Sequence, residues 1–182
     1  MKINDTEIKI IQADLVGIRT DAFVNPADGK LVMARDWPAV GEREKKLCAA
    51  DEGQVRSNCR RVLEEAKEKG VIRAHGCSCH SIEALRAAAK SSWVEVDSVR
   101  INPIGSHMDD SPETVLSVLR QMRAAGKGIV GMKILGQGDL RERQDEALKY
   151  ALSLGLLDAF TIGAESKAQQ EDLIRRIGAI AA

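Results

Sequence analysis

Residues 75 to 80 read His-Gly-Cys-Ser-Cys-His, and a further histidine, His107, follows one strand later. Thiolate and imidazole are the donors zinc prefers, so a metal centre is the first chemistry this run suggests. The spacing argues against it. Adjacent strand residues point to opposite faces, and C-x-C lacks the two intervening residues of a zinc knuckle. We expect no metal ligands and no catalytic residue here. Cys79 could be a nucleophile, but no base is identifiable to take its proton. Lys133 lies on a strand aimed at the same rim and could hold a phosphate or form a Schiff base, although a solvated or ion-paired lysine is commoner. Glu165 could orient a ribose, or be a plain loop carboxylate. Two backbone-rich segments complete the set. The turn Gly136-Gln137-Gly138 and the run Gly163, Ala164, Glu165, Ser166 both lead towards helices, whose first amides are unpaired and carry partial positive charge. An anion should therefore touch backbone amides at Gly136–Gly138 or Ala164–Lys167. A G-x-G turn alone specifies little.

These residues need elements to present them. Val71 and Ile72 read as a strand leading into Gly76 and the Cys/His turn, after which Ser81 caps a helix, SIEALRAAAK. The grammar recurs at VRINPIGSHMDDS, VGMKILGQGD and FTIGAES, with strand cores near residues 72, 99, 130 and 160. That is close to the roughly 30-residue period of βα units. Polar residues collect at the carboxyl ends of these strands, where α/β proteins place their sites. Ser111 with Pro112, Asp139 with Glu142, and Ser166 with Gln169 have the spacings of helix starts. Gly70, Gly126 and Gly155 suit helix ends. Upstream, Glu7–Ile11 and Ala22–Asn25 read as strands. Residues 42–70 read as helical, with Gly53 splitting them. Alternation at this spacing implies a parallel sheet with right-handed crossovers.

The expected fold class is α/β: about six mainly parallel strands in βα units, as a half-barrel or an open three-layer sheet flanked by helices. The 182 residues, 44% hydrophobic and 30% charged, suit one globular domain, residues 1–182. Lys plus Arg and Asp plus Glu number 27 each, and aromatic content is 3%, so neither a nucleic acid nor a membrane is the expected partner. No run approaches the roughly 20 apolar residues of a membrane span. MKINDTEIK has no apolar signal core, and four irregularly spaced cysteines suit a reduced, cytoplasmic setting. Trp37 and Trp93 are read as covering the ends of the core.

From Asp36-Trp37-Pro38 onwards the chain resembles the second half of an aldo-keto reductase, a (β/α)8 barrel that transfers hydride from a nicotinamide cofactor. EEAKEKGVIRAHGCSCHSIEAL, VRINPIGSHMD, GKGIVGMKILGQG and AFTIGAES look like its fifth to eighth strands, in order. The resemblance implies an NADP-type site built from Ser78, Cys79, Met132, Lys133, Gly136, Gly138, Gly163, Ala164, Glu165 and Ser166. Departures from the family pattern are clear. Cys79 stands where Asn usually follows the serine, Ser98 replaces a Gln, and Met132 replaces the aromatic ring that stacks on nicotinamide. The family's catalytic Asp, Tyr, Lys and His belong to the half of the barrel that this sequence does not match. The resemblance therefore implies a nucleotide-binding scaffold whose reductase activity is lost.

Residues 1–33 resemble a different family. EIKIIQADLVGIRTDAFVNPADGKLVM looks like the opening of a macro domain, an ADP-ribose-binding module. Asp14 matches the adenine-holding Asp, and Asn25 matches the first Asn of the family pattern. Asp28 replaces the ribose-contacting Asn, and Met33-Ala34-Arg35-Asp36 replaces the glycine loop. AFVN lies where a reductase's fourth strand would lie, with Asn25 about where its catalytic His belongs. A recombined or engineered chimaera is then expected: macro-like strands over 1–35 joined to a half-barrel over 36–182. Alternatives are a macro-type ADP-ribose module or a chimaeric fold with no ligand. Six strands leave open edges, so a homodimer is expected.

Overall fold

The computed structural model describes residues 2–3, 6–7, 22–26 and 52–181. Strands β1 (Lys2–Ile3) and β2 (Thr6–Glu7) form a small antiparallel pair. The main sheet has five parallel strands: β3 (Ala22–Pro26), β4 (Ala74–Ser78), β5 (Val96–Arg100), β6 (Gly128–Met132) and β7 (Ala159–Phe160), side by side in chain order. Between them run α1 (Glu52–Glu68), α2 (Ile82–Lys90), α3 (Pro112–Ala124) and α4 (Gln144–Ser153), and α5 (Lys167–Ala181) follows β7. This is the expected α/β class. No helix among the described residues is long and apolar enough to cross a membrane.

Alternation along the strands sorts their side chains onto two faces. Cys77 of β4, Val99 of β5 and Ile129 of β6 join one buried core with Leu85 of α2, Leu119 and Met122 of α3, and Leu148 of α4. The opposite face carries Gly76, Ser78, Val96, Ser98, Val130 and Met132. Ser78 Oγ lies 3.7 Å from Met132 Sδ, although β5 separates their strands. Neighbouring strands are about 4.8 Å apart, so such a bridge requires a sheet curled towards this side. The face is concave, as in a barrel. The curl also explains Gly76: a Cβ there would stand 1.6 Å from the Val96 carbonyl oxygen.

The helix signals behave as their chemistry requires, with instructive exceptions. Ser81 Oγ accepts from the Ala84 amide, and Ser111 Oγ from the Thr114 amide ahead of Pro112. Gly70 at φ +67° ends α1 in a Schellman motif, with Gly70 N–H donating to the Lys67 carbonyl and Val71 N–H to that of Ala66. This corrects the expected strand core near residue 72. Val71 and Ile72 serve the helix end, and the strand begins at Ala74. Asp139 does not cap a helix either: it follows a tight turn at Gly136–Gly138, and α4 starts at Gln144 without a side-chain cap. Gly53 falls in the first turn of α1 and does not break it. Residues 8–11, 42–51, Trp37 and the macro-like positions Asp14, Asp28 and 33–36 lie outside the described residues. Asn25 stands in register with Cys77.

One carboxylate fastens the last βα unit. Asp158 accepts from the Ile129 amide at 2.8 Å and pairs with Arg123 at the end of α3. Burial alone would raise its pKa, but Arg123 and the amide outweigh that and hold it below the usual range.

Candidate functional site

The carboxyl ends of β6 and β7 open into a cleft of about 860 Å³. Its walls include Met132, Lys133, Gln137, Gly138 and Arg141 on one side and Thr161, Gly163, Ala164 and Glu165 on the other. Lys133 and Arg141 are not ion-paired among the described residues. Beside them α5 begins. Ser166 Oγ accepts from the Gln169 amide at 3.2 Å, and Gln169 Oε1 accepts in turn from the Glu165 amide at 2.8 Å. The box expected at Ser166–Gln169 is therefore present, shifted by one residue at its return bond. It occupies two amides and leaves those of Lys167 and Ala168, which no carbonyl of the helix can reach.

The shape of the rim depends on a residue that the sequence reading did not single out. Asn102, fully buried just past β5, donates through Nδ2 to the carbonyls of Ser106 at 2.8 Å and Lys133 at 3.2 Å. Its Oδ1 accepts from the Ser106 amide at 3.1 Å. Lys133 has φ +58°, a left-handed conformation costly for a residue with a Cβ. Its carbonyl is anchored by Asn102 and by the Gly136 amide at 2.8 Å. Ser106 also donates to Asp139, tying the loop after β5 to the turn after β6. A polar residue immediately after a buried strand, in INPIGS, is the signal that could have marked Asn102. Arg141 had no comparable local signal.

The residues expected in the site separate into groups. Met132, Lys133, Gly138, Gly163, Ala164 and Glu165 line the cleft. Gly136 is buried behind it in the turn, and Ser166 caps α5. Ser78 meets Met132 on the concave face. Cys79 is elsewhere: it is fully buried on the helix side of β4.

The Cys/His run does not converge as a unit. His75 stacks on Trp93 with ring centres 4.5 Å apart, Arg60 covers the same indole, and Glu95 lies 3.5 Å from His75 Nδ1. His107 faces Asp139 at 3.5 Å. The two thiols meet Asp97 of β5 instead, with Cys77 Sγ 3.8 Å from Cys79 Sγ and 3.9 Å from Asp97 Oδ1. Burial pushes the Asp97 carboxyl up to about 7 despite a bond from Cys79, and Asp109 nearby adds to the rise. The Cys77 bond and burial raise Cys79 far above the ordinary cysteine range, the opposite of what a nucleophile needs.

Residues 33–174 match the model of the aldo/keto reductase family. No curated protein matches the chain. Among solved structures, a protein from Pseudomonas aeruginosa assigned as an aldo-keto reductase is similar with a TM-score of 0.52 and 18% identity, over 66% of this chain and 42% of its own. The holo form of an aldo-keto reductase from Bacillus halodurans is similar with a TM-score of 0.50 and 19% identity, over 63% of this chain and 47% of its own. The chain thus spans less than half the length of these structures. The family match begins at residue 33, and none of these comparisons supports a macro-domain segment or a chimaera.

Proposed function

Because the chain belongs to the aldo/keto reductase family, we propose that its rim cleft is a phosphate-anchored nucleotide site and that NADP(H) is the ligand it prefers. One observation carries this reading: Lys133, Arg141, the glycine turn and the N-terminus of α5 all border one cleft. Two cations with no ion pair among the described residues, beside helix amides, favour a ligand rich in phosphate. A bound nicotinamide would supply hydride. The chain's own residues supply anchorage, through the two cations and the amides of Lys167 and Ala168.

Aldehyde reduction by these residues alone is not expected. The single tyrosine of the sequence, Tyr150, sits on α4 with its hydroxyl buried and is not among the residues that line the cleft. No tyrosyl proton donor serves the cleft, and a missing general acid typically costs a hundred- to ten-thousand-fold or about that in rate. The chain acts as one domain and pairs with a second copy.

A thermal-shift panel with NADPH, NADH and ADP-ribose tests the ligand, since a bound ligand stabilises the folded state by RT ln(1+[L]/Kd). NADPH should raise the midpoint most, and Lys133→Ala with Arg141→Ala should remove most of that shift. A shift by ADP-ribose alone, indifferent to both substitutions, would overturn the reading.

A further inference from the structure

On the helix side of β4 and β5, away from the cleft, two thiols and a carboxylate share one buried spot. Cys77, Cys79 and Asp97 are 4%, 0% and 0% exposed, and a donor atom from each lies within 4.8 Å of the others. The objection from spacing does not hold here. Cys77 lies on β4 and Cys79 just past its end, two residues on, where the thiols meet on the same side, and the parallel register sets Asp97 directly opposite Cys77.

The distances have a metal's scale. Zinc lies about 2.3 Å from thiolate sulfur, and two such ligands at a tetrahedral angle are about 3.8 Å apart. That is the Sγ–Sγ separation observed, 3.8 Å. A second observation points the same way: Asp97 Oδ2 is buried with no hydrogen-bond partner in the described structure. An orphaned carboxylate oxygen in a core is costly unless something occupies it.

We propose that Cys77, Cys79 and Asp97 form a structural site for a thiophilic divalent cation of the zinc class, with both Asp97 oxygens available to it. Two sulfur donors select against magnesium and calcium, which take oxygen ligands. On binding, each thiol and the carboxyl release any proton they hold to solvent, and the cation takes the vacated lone pairs. The site would tie β4 to β5 behind the rim. It is independent of the nucleotide reading.

The test uses the full chain, reduced and stripped with a chelator, then titrated with Co²⁺. One equivalent should bind with a sulfur-to-cobalt charge-transfer band in the near ultraviolet and the strong visible bands of a tetrahedral ion. Zn²⁺ should then bleach both. Cys77→Ser and Asp97→Asn should each weaken Co²⁺ by at least about a hundredfold, more than loss of an outer-shell partner usually costs. Cys48→Ser with Cys59→Ser should leave the spectrum unchanged. The wild-type spectrum decides the matter even if a variant fails to fold. Absence of the sulfur band, binding that survives Cys77→Ser, or binding lost with Cys48 and Cys59 would each overturn the proposal.

Discussion

The Asn102 side chain is fully buried, and both ends of its amide are occupied. Replacing it with alanine strands the Ser106 amide and two carbonyls in the interior. Unsatisfied buried groups cost about 1–3 kcal/mol each when they cannot relax towards water. Asn102→Ala should therefore lose about 2–4 kcal/mol in urea unfolding, and it should weaken nucleotide stabilisation as well, because the left-handed Lys133 loses an anchor. Asp158 allows a pH test. Its folded pKa lies below the unfolded one, so its contribution is present above the unfolded value and disappears as pH falls through the folded value. At neutral pH, Asp158→Asn should cost about 1–2 kcal/mol through the bonds to Ile129 and Arg123. The gap between wild type and variant should close as pH drops below the ordinary carboxylate range. A gap that persists undiminished in acid would show that charge is not what holds this corner.

Among the elements, the clearest requirement is at Gly76. An alanine Cβ would collide with the backbone of β5, and backbone cannot rotate away as a side-chain tip can. Gly76→Ala should cost at least about 3 kcal/mol, or give insoluble protein. Urea titration or soluble yield would reveal either outcome. The same element shows where sequence reading works. Ser81, Ser111-Pro112 and Ser166–Gln169 were legible because a cap is satisfied within three or four residues. Asp139 had the right spacing but a different partner, since Ser106 binds it from 33 residues away. Val71 and Ile72 looked like strand because β-branched residues favour strands, yet a Schellman end also uses an apolar residue after its glycine. The cleft's backbone segments were legible from their glycines and the helix start beyond. The thiol–carboxylate cluster was not, because Asp97 joins it only through the register of β4 against β5.

At the scale of the molecule, β3 and β7 each pair with a single strand among the described residues. The concave face carries Val130 and Met132 only partly covered. A second copy could bury such surface at about 25 cal/mol per Å² before association costs. Light scattering at micromolar concentration should give about twice the 19.8 kDa chain mass, falling on dilution. A species of 19.8 kDa at every concentration would argue for a monomer.

The strand order β3-β4-β5-β6-β7 is also the order of the chain. Each strand after β4 thus meets its predecessor across one intervening α-helix, and none of these later pairings waits for a distant segment. Such a layout keeps contact order low for a parallel sheet and favours growth outwards from a central unit. Opening should run in reverse. The two-residue β7 and α5 should exchange their amide hydrogens by local release, while β5, α3 and β6 exchange only when the whole sheet opens. Native-state hydrogen exchange would resolve these layers. The cleft has one wall in each, so binding a nucleotide should slow exchange most on the β7–α5 side, the part of the molecule that otherwise lets go first.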